Sequence, residues 1–403
     1  MKPAELLSVD DALALLLQNA KPARPTETID TLYADGRVLA ADVVSPIAVP
    51  GFDNSAMDGY GLHLSSIPEA PFSLPVVQRI AAGQTGAPLA ENTAARIFTG
   101  APIPTGCNIV VMQEDTEVDG ENIRILRTPK AGQNIRLTGE DIAPNAVVVT
   151  KGTKLTPVEL SLIASVGVAE VSVYKPLRVA TLFTGDELTM PGEPLPPGGI
   201  YNSNRFAITA LLRRLGCVVT DLGNVPDNLE ATKAALADAA AEHDVVITSG
   251  GVSVGEEDHV KAAVSALGEL SLWKIAMKPG KPLAFGKIGT TSFVGLPGNP
   301  VSSYITLGIL VRPYLLSLMG ATTKGIVSLP LVANFTWKKA DKRREFLRAQ
   351  VDSEGKLSLF GNQGSGVMTS LAWADGVIDL PPNTQVSPGD VVRFIPLNTL
   401  LDA

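Results

Sequence analysis

Between Leu177 and Met319 short apolar runs alternate with helical segments, and that alternation leaves few folds open. Arg178–Phe183, Cys217–Val225, Asp244–Thr248 and Leu270–Met277 read as strands, with Asn202–Leu215, Asn228–Glu242 and Glu256–Leu267 as the helices between them. Leu283–Lys287 and Ser292–Leu296 read as a hairpin, and Pro300–Met319 as a long closing helix. Strand and helix in turn at this spacing give a doubly wound, mostly parallel α/β sheet with helices on both faces. The chain has 403 residues, more than one such unit uses at about 150 residues per domain. The flanks therefore hold further structure.

Before the alternating region, Ser8 caps a helix over Ala12–Asn19, with Asp11 in its first turn and Pro22 and Pro25 beyond its end. From residue 45 to 141 the texture is β-rich: Ala94–Phe98, Ile109–Gln113 and Asn122–Leu126 are separated by Gly, Pro and Asn clusters. Pro157–Val166 then reads as a helix with proline in its first turn. The tail returns to β texture, where Glu345–Val351 and Lys356–Phe360 flank the turn Asp352–Gly355.

Composition removes several function classes. A net charge of −8 speaks against a main partner of DNA or RNA. Cys107 and Cys217 cannot build a disulfide scaffold, and His63, His243 and His259 have no metal-ligand spacing, so a Cys/His zinc site is not expected. Ala12–Leu17 follows Asp10 and Asp11, where a signal peptide carries Lys or Arg. The apolar stretch Tyr304–Val311 stops at Arg312, short of a membrane span. No membrane contact and a cytoplasmic location are the default expectation.

Ligands of open α/β sheets bind beyond the carboxyl ends of the strands. The residues just past each strand are thus informative. Thr184, Gly185, Asp186 and Glu187 come after the first, and Pro226 and Asp227 after the second. Ser249, Gly250, Gly251 and Ser253 come after the third, with Asp258 just beyond; Lys278 and Lys281 come after the fourth, and Pro297–Pro300 after the hairpin. Glycines before a helix let backbone N–H groups approach an anion. The two lysines add positive charge for an oxyanion. Asp186, Glu187, Asp227 and Asp258 offer hard oxygen ligands for Mg²⁺ beside a substrate phosphate. Taken singly, each has a plain explanation: Asp227 as a helix cap, the glycines as a turn, the lysines as solvated charge, Pro300 as a helix start. Their coincidence on one face points to a phosphorylated ligand with a divalent ion. The cluster Lys338, Lys339, Lys342, Arg343, Arg344 and Arg348 reads as a charged hairpin that could instead rim such a site. No dinucleotide fingerprint, phosphate-binding P-loop or nucleophile elbow is present.

The β-rich insert carries a second set of polar, turn-forming motifs: Asn54–Tyr60, Thr99–Pro104 and Gly139–Asp141. Together with Thr184–Leu188, Ser249–Gly255, Lys278–Pro282 and Gly295–Ser302, they resemble the successive motifs of the MoeA family, the molybdopterin molybdenumtransferases, to which the E domain of gephyrin belongs. The likeness runs in order along essentially the whole chain. It implies an elongated homodimer with four domains per chain: residues 1–44 with 142–176 as a connecting domain, 45–141 as the β-rich insert, 177–322 as the α/β domain and 323–403 as a C-terminal β-barrel. It implies a transferase that takes adenylylated molybdopterin and molybdate, cleaves the phosphoanhydride with Mg²⁺ present and releases AMP.

Motif by motif, the resemblance places Asp58 and Thr99 on the insert's side of the site, supported by Asp141. It sets Glu187, Asp227 and Asp258 around the metal and ligand, Lys274 and Lys278 on the oxyanion or phosphates, and Pro297 and Pro300 as shapers of the pocket. It further implies sites shared between subunits, with an adenylyltransferase upstream and cofactor-accepting enzymes downstream as partners. Pro226-Asp227-Asn228 stands where many relatives carry two adjacent acids, so only the first acidic role transfers. Gly106-Cys107-Asn108 replaces a common Gly-Ala-Asp. Two rivals stand beside this reading: a scaffold module of gephyrin type, which joins an adenylyltransferase domain through a long linker, and a nucleotide pyrophosphatase on the same α/β site, which leaves Asn54–Tyr60 without a task.

Overall fold

The computed structural model describes residues 6–20, 24–251, 259–322 and 325–401. The alternating region folds as expected. Val218–Val225, Arg178–Thr184, Val245–Ser249 and Thr291–Leu296 lie side by side in that order and run parallel. Pro282–Ile288 joins antiparallel as the hairpin partner, and Gly268–Lys274 pairs antiparallel outside it. Two reversals return Gly268–Lys274 to the direction of the first four, so its carboxyl end lies at the same sheet edge. Each strand alternates its side chains between two cores. Val179, Phe183, Val245 and Ile247 pack with Ile208, Leu212, Val301 and Tyr314 on one face. Ala180, Leu182 and Val246 pack with Leu236, Ala239, Val260 and Val264 on the other.

The helices hold one informative difference. Helix Leu229–Glu242 is capped by Asn228, whose side chain accepts from the Ala231 N–H at 2.9 Å. Asp227 is therefore not the cap, and its carboxylate is left for other use. Asn202 caps Ser203–Arg214 in the same way. His259–Leu267 is helical, while the expected start of that helix at Glu256 lies outside the described residues. The closing helix forms in three pieces, Pro300–Thr306, a wide π turn Leu307–Val311, and Arg312–Leu318. By length and composition it could cross a membrane, but 78% of its most apolar window is buried inside the protein. It is the central core helix of the α/β domain.

Helix Val9–Asn19 forms with Ser8 as its cap. Residues 1–44 were expected in the connecting domain as one piece, yet this helix leaves it. Its apolar stripe, Val9, Ala12 and Leu16, packs into the α/β core beside the closing helix. In what remains, Thr26–Asp30 pairs with Glu170–Tyr174, and Val43–Val44 with Val147–Val149. Helix Pro157–Ser165, fixed by a Thr156–Glu159 capping box, packs over them.

The insert is a six-stranded mixed sheet. Its polar motif Asn54–Tyr60 holds strand residues at both ends, Asn54–Ser55 and the start of Gly59–Leu62. In the tail, Arg344–Val351, Lys356–Leu359, Leu329–Ala333, Val391–Pro396 and Gly376–Leu380 pair in series, and the last pairs back to the first. That closes a five-stranded barrel. The chain exposes 19685 Å², against about 15,000 Å² for a compact protein of this mass, which fits an elongated multidomain shape.

Neither cysteine is reactive by design. Burial pushes the Cys217 thiol up to about 12 and the Cys107 thiol up to about 11. Thiolate is the reacting form, so at pH 8 an aromatic disulfide reagent is expected to label neither residue in minutes and both after denaturation. Rapid labelling of the folded protein would contradict this burial.

Candidate active site

The carboxyl ends of the α/β strands open into a cleft of about 880 Å³. Of the residues expected there, Thr184, Glu187, Ser249, Gly250, Gly251, Lys278, Lys281, Pro297 and Pro300 line it. Ser253 and Asp258 lie outside the described residues. Asp227 stands one bond behind the wall, where its Oδ1 accepts from Thr184 Oγ1 at 2.9 Å. Gly185 and Asp186 belong to the same turn without lining the cleft. Gly185 has φ +143°, a backbone conformation that side chains rarely adopt, which favours glycine in the turn that presents Glu187.

The floor is a hydroxyl and amide network. Asn204 Nδ2 donates to Ser249 Oγ at 2.8 Å and to the Gly298 carbonyl at 2.7 Å. Ser249 Oγ in turn donates to the Pro297 carbonyl at 2.9 Å, which Ser303 Oγ also reaches. Three elements distant in sequence are locked together: the first turn of one helix, a strand end, and the loop that starts the closing helix. Gly250 and Gly251 follow Ser249 with φ of 91° and 63°, leaving bare backbone at the cleft wall, the surface an anion can approach.

The opposite wall comes from the barrel, which strand-end reasoning did not include. Lys278 was expected in a loop after the strand Leu270–Met277. That strand instead ends at Lys274, and Met277–Lys278 forms a separate short strand that pairs in parallel with Arg344 and Glu345 of the barrel. Lys278 thus sits at a seam between domains. Its Nζ donates to Glu345 Oε1 at 2.8 Å and lies 3.4 Å from Asp341 Oδ2. Arg343, also at the cleft, makes a two-pronged contact with Asp341 at 3.0 and 2.8 Å. The Arg343 hydrogen bonds hold the Asp341 carboxyl well below the usual carboxylate range.

Beside Arg343 the loop 361–366 contributes Gln363, Gly364, Ser365 and Gly366 to the lining. Gln363 donates to the Arg348 and Phe360 carbonyls and accepts from the Arg348 N–H. The Arg348 side chain, 1% exposed, donates to the Gly364 carbonyl, Ser370 Oγ and the Phe346 carbonyl. Burial lowers its pKa to about 10. The Ser365 carbonyl accepts from Val301 N–H, which ties this loop to the closing helix. So the basic cluster of the tail divides: Arg343 faces the cleft, Arg344 pairs with Asp379 and Asp10, and Arg348 is interior. The Gly-Asn-Gln-Gly-Ser-Gly tract at 361–366 was the one signal available for the loop.

The remaining expected residues stand apart. Lys274 is exposed at the end of the edge strand and does not line the cleft. Asp58, Thr99 and Asp141 belong to the insert and do not line it either. Asp58 and Thr99 form a unit of their own. Asp58 Oδ1 accepts from the Thr99 N–H at 2.8 Å and from its hydroxyl at 2.9 Å, which keeps the Asp58 carboxyl below its usual range. Asp53 and Thr138 repeat the arrangement, with both bonds at 2.7 Å.

Comparison with known proteins places this geometry. Three family models match successive stretches: the MoeA N-terminal region, domains I and II, over residues 7–167; a probable molybdopterin binding domain over 180–317; and the MoeA C-terminal region, domain IV, over 330–397. A molybdopterin molybdenumtransferase of Haemophilus influenzae is 41% identical over 407 residues, covering 98% of this chain and 100% of that protein. The molybdopterin molybdenumtransferase of Bacillus subtilis is 35% identical, covering 94% of this chain and 91% of its own length. A crystal structure of the molybdopterin biosynthesis MoeA protein from Pyrococcus horikoshii OT3 superposes with a TM-score of 0.85 at 28% identity, over 97% of this chain and 100% of that one.

Proposed function

The chain belongs to the MoeA family, a transferase of molybdenum cofactor biosynthesis, and on that premise we propose that it inserts molybdenum from molybdate into adenylylated molybdopterin with Mg²⁺-dependent release of AMP. The observation that carries the reading is the cleft itself. Lys278, Lys281 and Arg343 supply positive charge, Ser249 and Ser365 supply hydroxyls, and Gly250 and Gly251 supply open backbone, all on one concave surface. Those are the groups that hold phosphates and tetrahedral oxyanions.

Two anions must meet for the transfer, the phosphoanhydride and molybdate. Their repulsion is the barrier that the chain can lower most directly. Lys278, Lys281 and Arg343 draw charge off the entering oxyanion, while the strand-end loops hold the ligand in register. Among the described residues no group of three or more His, Cys, Asp or Glu could cage a metal. Mg²⁺ is held by one or two carboxylates together with substrate phosphates. Glu187 and Asp227 are the residues that would hold it, and its charge would offset that of the phosphoanhydride. Thr184 fixes the orientation of Asp227.

Asp58 and Thr99 have no place in their own chain's cleft. We read them as completing the cleft of a second copy, so that a homodimer carries two composite sites. Incubation with adenylylated molybdopterin, Mg²⁺ and molybdate is expected to release AMP in step with molybdenum bound to the dithiolene. No AMP beyond a protein-free control would overturn the proposed reaction. AMP without molybdenum transfer would favour a pyrophosphatase.

A further inference from the structure

We propose that Glu345 of the barrel is a positioning residue that acts as the built-in counter-ion of Lys278, so that an entering oxyanion must compete with it for the lysine. The inference rests on the reading of Lys278 as an oxyanion contact and says how that contact is tuned. Glu345 is 1% exposed. A carboxylate so placed needs its oxygens satisfied. One accepts from Lys278 Nζ at 2.8 Å and the other from Trp337 Nε1 at 2.9 Å. The backbone fixes the pair as well, because Lys278 stands opposite Glu345 in the parallel pairing that joins the two domains.

The charges around Lys278 can be placed by element. From its own domain Lys281 and Glu187 line the same cleft. From the barrel come Glu345, Asp341 and Arg343, and Asp341 is engaged mainly by Arg343 through two bonds against a longer 3.4 Å contact to Lys278. Glu345 is therefore the principal partner of Lys278. A lysine is a flexible, mobile point charge. Held this way it keeps one position at the cleft wall, with its side chain still 33% exposed toward the opening. The cost is reduced attraction for an anion.

Glu345→Gln separates the two effects. Glutamine keeps the shape and, with its Oε1 turned to Trp337 Nε1, an acceptor there; its amide N–H₂ can only donate and so cannot bind the Lys278 ammonium, which loses both its counter-charge and its acceptor. Calorimetric titration of sodium molybdate into the full chain at low ionic strength is the test. Glu345→Gln is expected to bind molybdate at least tenfold more tightly, since one opposing charge removed about 6 Å from a dianion is worth about that much even at the dielectric of water. In a Lys278→Met background the same substitution should give almost no gain, since the coupling runs through the lysine. A purely structural Glu345 would shift the melting temperature and leave both affinities alone.

Unchanged or weaker binding by folded Glu345→Gln, or an equal gain without Lys278, would overturn the counter-ion role. If Lys278→Met alone binds molybdate as the wild type does, the reading of Lys278 itself has failed, and the inference falls with it. Should Glu345→Gln not fold, Trp337→Phe serves. It leaves the carboxylate charged and strips its second donor, so Lys278 is held harder and molybdate is expected to bind about threefold more weakly, the scale of one hydrogen bond. A gain in affinity would overturn the arrangement.

Discussion

Glu187→Ala is expected to cut AMP release by about 10²–10³-fold, the loss seen when one preorganised group facing developing charge is removed. The fold should survive. Glu187 is exposed in the turn after its strand. A surface substitution of this kind is expected to leave the melting temperature within about 2 °C for a chain of this size. Glu187→Gln should behave nearly as badly, because an amide keeps the shape and loses the charge. Both variants should still bind molybdate, since the cations at the barrel seam are untouched. Circular dichroism, molybdate titration and an AMP assay on the same preparation check all three statements. Near-normal AMP release at saturating Mg²⁺ would remove Glu187 from the metal and ligand site. A variant that unfolds would show that this turn does structural service instead.

How much of this was legible depended on distance along the chain. The α/β domain was readable because its signals are local. Val179 and Phe183 alternate with Ala180 and Leu182 to feed two cores, and apolar runs of that length between helices permit little else. Thr184, Glu187, Ser249 and Pro297 were readable for the same reason, since a strand end is a local event. Lys278 was found at the right place for an incomplete reason. Its strand pairs with Arg344 and Glu345 across more than sixty residues, and no periodicity reports a pairing at that separation.

Arg343 and the loop 361–366 were out of reach on the same ground. The barrel closes only when Arg344–Val351 meets Gly376–Leu380, and the cleft wall is a by-product of that closure. Helix Val9–Asn19 shows the limit from the other side. Its cap Ser8 and its helical run were legible, but not that Val9, Ala12 and Leu16 pack into a domain starting more than 150 residues later. Asp227 turned on a single neighbour. Either Asp227 or Asn228 could cap the following helix, and the choice of Asn228 is what leaves a carboxylate at the strand end.

Mixing two inactive variants is expected to restore activity if the site is composite. The insert's Asp58 and the α/β domain's Glu187 are taken to serve one reaction from two chains. Asp58→Ala homodimers then have both sites broken, and so do Glu187→Ala homodimers. In a mixed dimer one site combines the Asp58 lesion of one chain with the Glu187 lesion of the other, and the second site has neither. Random reassociation of equal amounts makes half the dimers mixed, each with one intact site of two, so activity should return to about a quarter of the wild-type value. Asp58→Ala suits the test because its side chain is exposed and bonds to Thr99 at a turn, outside the insert core of Leu62, Ile109 and Val111. Subunits must be exchanged by co-expression or by joint unfolding and refolding, with mass spectrometry of differently tagged chains confirming the mixed dimer. A quarter of wild-type AMP release supports the shared site, and adding Lys278→Met to the Glu187→Ala chain should leave that recovery unchanged, because both lesions then fall in the already broken site. Placed instead on the Asp58→Ala chain, Lys278→Met should abolish the recovery, since it damages the one intact cleft. Verified mixed dimers that stay at the level of the separate variants would mean that Asp58 and Glu187 act within one chain.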